Sequence, residues 1–88
     1  MVSPMAPNAP TGLVRRMFAL FHLGGVQQKR ADRLAVASYV TWRRIGTTDD
    51  LTEADIKAIV ATLEYWRFAG QIEYRCRRIA ESMQEVSA

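Results

Sequence analysis

The 88-residue chain has one cysteine, Cys76, one histidine, His22, and no proline beyond Pro10. Each scarcity excludes something. A lone thiol rules out an internal disulfide, and a reducing compartment is then the simpler setting. One histidine and one cysteine are too few ligands for zinc within a single chain, and no glycine loop of the phosphate-cradling kind is present. No metal or other cofactor is therefore expected. Pro4, Pro7 and Pro10 confine proline to the first ten residues, so from Thr11 onward nothing forbids long helices. No stretch approaches the roughly 20 apolar residues that a membrane-spanning helix needs. Acidic residues are scarce as well: up to Ile45 the chain carries Asp32 alone.

Against that single acid stand Arg15, Arg16, Lys29, Arg30, Arg33, Arg43 and Arg44. Residues 46–70 run the other way, with Asp49, Asp50, Glu53, Asp55 and Glu64 against Lys57 and Arg67, and the last eighteen residues are neutral. The net charge of +3 thus conceals a chain polarised along its length. Such an imbalance speaks of partners and encounter, not of fold. Arginine occurs ten times and lysine twice. The guanidinium fork suits bidentate contacts to phosphates and base edges, which favours nucleic acid.

With 49% hydrophobic and 24% charged residues, the composition is that of a globular protein and not of a disordered tail. Residues 1–10 show no periodicity and are expected to form a flexible arm; residues 11–88 are expected to be one helical domain. Thr11 can cap a first helix running to Leu23, stopped by Gly24 and Gly25. Arg15-Arg16-Met17-Phe18 resembles the twin-arginine export pattern. The apolar run that follows is short, no small-residue cleavage site comes after it, and a cytoplasmic location is expected.

A second helix is expected from Val26 to Ile45, apolar on two sides as the central helix of a bundle would be. It would bring Tyr39, Trp42, Arg43 and Arg44 onto one element. The third start is the clearest: Thr52 as N-cap, Asp55 three residues on, and Leu51 and Ile56 placed as a hydrophobic staple. Gly70 ends that helix. After it, Gln71 to Arg77 alternates like a strand, whereas Ile72, Cys76, Ile79, Met83 and Val86 step by fours and threes like a helical seam. The helical pattern accounts for more positions and predicts a fourth helix. Arg75, Arg77 and Arg78 alternate with Glu73, Glu81 and Glu85, which pairing at helical spacing largely explains.

The segment Ile59 to Arg75, IVATLEYWRFAGQIEYR, resembles the end of a winged helix-turn-helix domain. The resemblance implies a wing strand after Gly70 and groove-facing Lys57, Thr62 and Arg67. Leu51 to Leu63 is too short to hold both a second and a full recognition helix, and that helix begins among four acids that phosphates repel.

The reading is an all-α bundle of three or four helices. Its expected function is non-enzymatic nucleic-acid binding of the regulatory kind common in phage and plasmid control genes. Arg15, Arg16, Lys29, Arg30, Arg33, Arg43 and Arg44 would hold phosphates or base edges. The alternative is an inhibitor or adaptor that docks an apolar helix face on an acidic-surfaced protein complex. Leu13, Met17, Phe18 and Phe21, with Ile72, Cys76, Ile79 and Met83, would supply that face or a homodimer interface.

Overall fold

The computed structural model describes residues 11–87, with side chains to Met83. Four helices follow one another: α1, Thr11–Leu23; α2, Arg30–Thr41; α3, Glu53–Phe68; and α4, Ile72–Ser87, with a single 3₁₀ turn at Thr48–Asp50 between α2 and α3. The all-helical bundle is the fold expected. Among the described residues there is no strand. The alternation at Gln71–Arg77 is therefore the start of α4, and the wing that the resemblance implied is absent. The expected arm at residues 1–10 lies outside the described residues.

Helix α3, not α2, is the central element. It packs against α1, α2 and α4, while α2 packs against α3 and α4. Ile56, Ile59, Leu63 and Trp66 of α3 meet Met17, Leu20 and Phe21 of α1, Val36 of α2 and Cys76 and Ile79 of α4 in one buried cluster. Full burial of an aliphatic or aromatic side chain of this size contributes about 1.5–3 kcal/mol.

Helix α1 ends in a Schellman motif: Val26 N–H bonds to Phe21 O at 3.0 Å and Gly25 N–H to His22 O at 3.0 Å, with Gly25 at φ +76°. Val26, expected to open α2, belongs instead to this cap and buries against the core. The neighbouring Gly24 is needed for a different reason, since a Cβ there would lie 2.7 Å from Cys76 Sγ on α4.

Helix α2 is shorter than expected at both ends. At its C-terminus Trp42 takes the left-handed conformation, φ 61°, ψ 27°, and its N–H bonds to Ser38 O at 3.0 Å. Ser38 Oγ then accepts the N–H of Ile45 at 2.9 Å, so residues 42–46 fold back along the helix they leave. Ile45 continues the apolar stripe of α2 in space although it is no longer helical. Two capping boxes follow, Thr47 with Asp50 and Thr52 with Asp55. The reciprocal bond of the second forms despite the short aspartate, Thr52 N–H to Asp55 Oδ2 at 2.9 Å. Leu51 and Ile56 are both buried at the staple positions.

Candidate nucleic-acid interface

The seven basic residues singled out from the sequence are not equally free. Arg16 is anchored to Glu64 of α3, its Nε 2.6 Å from Oε2. Arg43 ion-pairs with Asp55 and donates to Asp50 O at 3.2 Å. Arg33 donates to Gln27 O, lies 5.8 Å from the centroid of Phe18, and buries its Nε without an acceptor. It fastens the α1–α2 junction. Arg30 reaches Gly46 O at 3.5 Å. Among the described residues, Arg15, Lys29 and Arg44 are exposed and have no ion pair. Lys29, Arg43 and Arg44 moreover lie outside α2, which holds Arg30 and Arg33 in its first turn.

The apolar residues expected to face a partner are largely inside. Met17, Phe21, Cys76 and Ile79 are core residues of the single chain, and Leu13, Phe18, Ile72 and Met83 pack half-buried against that core. The correction has a simple cause. Helices α1 and α4 turn their seams toward α3 and α2, so the stripes wide enough for a partner are met by the chain's own elements.

On the surface, two adjoining grooves run along α2 and α4. The first, of about 640 Å³, is bounded by Leu34 and Ser38 of α2, by the returning segment with Trp42, Arg43 and Arg44, and by Met83. The second, of about 340 Å³, lies among Tyr39, Trp66, Tyr74, Arg75 and Arg78, and shares Met83 with the first. Among the described residues, neither is lined by an acidic side chain. Trp42 is 92% exposed, and Tyr39 and Tyr74 stand more than half exposed. Arg75 lies 5.7 Å from the Trp66 centroid and is steadied by Gln71, Nε to Oε1 at 2.9 Å. Arg78 and Arg44 have no carboxylate partner among the described residues.

Helical spacing on α4 explains how a neutral segment presents a basic face. Tyr74, Arg75, Arg78 and Ser82 border the second groove, while Arg77 pairs with Glu73 at 3.6 Å on another side. Glu81 likewise sits with Arg77, Lys29 and Asp32, at a separate cavity. Tyr74, Arg75 and Arg78 were not among the residues expected to bind. The signal that could have found them is the three-residue step from Arg75 to Arg78, with Tyr74 beside them.

The titrating groups that depart from their ordinary values have structural explanations. Burial pushes the Asp55 carboxyl up, but hydrogen bonds from Thr52 and the Arg43 guanidinium outweigh it and leave its pKa below the ordinary 3.8. Burial pushes the Cys76 thiol up to about 11. His22 is exposed, with Nδ1 3.1 Å from Gln27 Oε1. No group of three or more His, Cys, Asp or Glu side chains able to hold a metal ion occurs among the described residues. No helix there is long and apolar enough to cross a membrane. Comparison with protein-family models, with curated proteins and with solved structures finds no match.

Proposed function

We propose that the chain is a small non-enzymatic nucleic-acid-binding protein, regulatory or architectural in role, that holds its ligand along the α2–α4 grooves. The observation that carries this reading is the lining: arginines and exposed aromatics together, with no acidic side chain among the described residues there. Several cations elsewhere are paired with carboxylates, as in Arg16–Glu64, Lys57–Glu53 and Arg77–Glu73, while Arg15 and Lys29 stand apart from any exposed aromatic groove. Guanidinium groups left unpaired beside aromatic faces match a ligand with phosphates and bases. Arg44 and Arg78 contact phosphates, Arg75 adds positive potential, and Tyr39, Trp42 and Tyr74 contact bases or sugars.

The test is fluorescence anisotropy of labelled oligonucleotides, single-stranded and duplex, across salt concentrations. Each phosphate contact removed lowers the slope of log K against log salt by about 0.7–0.9, so Arg44→Ala with Arg78→Ala reduces it by about 1.4–1.8. Absence of binding to every oligonucleotide at low salt would overturn the reading.

A partner protein is favoured by a separate observation. Tyr65 and Phe68 lie three apart on α3, and Phe68 is 92% exposed. Aromatic side chains with that much free surface are common anchors of protein interfaces. Oligonucleotide affinity that is unchanged by Phe68→Ala separates this pair from the grooves, and affinity that falls with it would extend the nucleic-acid face to α3.

A further inference from the structure

We infer that the grooves take single-stranded nucleic acid in preference to duplex, with the Trp42 indole as the platform on which a base stacks. The inference rests on the nucleic-acid reading above and deepens it. Trp42 is a bulky residue in the left-handed region, φ 61°, a conformation that glycine adopts freely and a residue with a Cβ does not. Its indole is 92% exposed, so folding gains almost no burial from it. Nevertheless the backbone beneath it is held from both sides. Its own N–H bonds to Ser38 O at 3.0 Å, Ile45 N–H bonds to Ser38 Oγ at 2.9 Å, and the next residue, Arg43, is clamped to Asp55. A strained backbone that displays a side chain to solvent points to a ligand for that side chain.

The ligand's chemistry follows from the neighbours. Arg44 stands two residues on, without a carboxylate partner among the described residues, and Tyr39 stands three residues back on α2. Across the second groove are Tyr74 and Arg78, the latter without a carboxylate partner among the described residues. Aromatic planes interleaved with cations are what a strand with free base faces and a charged backbone requires. A duplex offers its phosphates but covers its base faces, and exposing one demands unstacking. A duplex footprint would instead use a continuous basic helix face. That face is missing, because Arg30 is turned to Gly46, Arg33 to Gln27 and Phe18, and Arg16 to Glu64. DNA and RNA strands share the recognised chemistry.

The experiment is a titration of the full chain with a mixed-sequence 12-mer as single-stranded DNA, as single-stranded RNA and as DNA duplex, read by anisotropy and by tryptophan emission. Trp66, 7% exposed, also borders the second groove, so the quenching that the wild type shows and Trp42→Tyr does not is what reports Trp42. The expected result is at least one single strand bound about tenfold or more tighter than the duplex, with emission quenched. Trp42→Ala weakens the single strand by about 5–150-fold, the range for one base–aromatic stack, and Trp42→Tyr retains most of the affinity. Preference of one sugar over the other identifies the strand as DNA or RNA. Circular dichroism confirms that both variants remain folded, and Tyr39→Ala with Tyr74→Ala gives an independent probe should Trp42→Ala unfold. Duplex affinity equal to or above that of both strands, or single-strand affinity unmoved by these aromatic substitutions, overturns the inference and leaves the nucleic-acid reading standing. No binding of any 12-mer overturns both.

Discussion

Two residues show how much of this molecule turns on single side chains. At Trp42 the left-handed backbone costs about 1–2 kcal/mol for a residue with a Cβ, and the exposed indole returns little of it. Trp42→Gly is therefore expected to raise stability by about 1 kcal/mol, measured by urea unfolding, while weakening single-strand binding. At Cys76 the thiol is buried and resists ionisation. Its folded pKa of about 11 stands above the ordinary 9.0, so the unfolded chain releases the proton first. Stability is then unaffected below pH 9.0 and declines as pH rises through the window to about 11, and Cys76→Ala removes that slope. Denaturant titrations at pH 8, 9.5 and 10.5 check the expectation. The spacing of Cys76 on an apolar seam was legible in the sequence. Whether that seam met the same chain or another was not, because periodicity marks a buried face without saying what buries it.

At the scale of elements, the helix ends carry the most information. The Thr52–Asp55 box was legible because both partners lie within one turn of chain. Thr52→Ala is expected to cost about 1 kcal/mol. Asp55 titrates below its ordinary value because Thr52 and Arg43 hold its charged form. Its stabilisation is thus present above pH 3.8 and is lost as pH falls through the lower folded value. Asp55→Asn flattens that acid limb in a pH series of thermal melts. The C-terminus of α2 was not legible: a stripe at helical spacing runs on to Ile45, and no glycine or proline marks the reversal at Trp42. Gly24 shows the same limit from the other side. Its turn was legible, but its contact with Cys76 of α4 was not. Gly24→Ala is expected to destabilise by about 1–3 kcal/mol through overpacking, and Cys76→Ala in the same chain to recover part of the loss. A double-mutant cycle in urea measures that coupling.

For the whole molecule, part of the polarity along the sequence is cancelled in space. The ion pairs Arg16–Glu64 and Arg43–Asp55 join the basic first half to the acidic segment. The Arg16–Glu64 pair is substantially exposed, and pairs of that kind contribute about 0–1 kcal/mol. Their larger consequence is to remove cations from the surface open to a ligand. The helical class was readable from period and caps alone, since those are local. The grooves were not, because Tyr39 comes beside Tyr74 and Arg78, and Trp42 beside Met83, only once α2 and α4 pack together.

Whether the α2–α4 face is the nucleic-acid site is decided by an amide NMR titration of the full chain with the single-stranded 12-mer. Shifts are expected to concentrate at Tyr39, Trp42 to Gly46 and Tyr74 to Met83, with the Trp42 indole N–H moving and broadening. Shifts concentrated on α1 and around Lys29, with the Trp42 indole unmoved, would contradict that site.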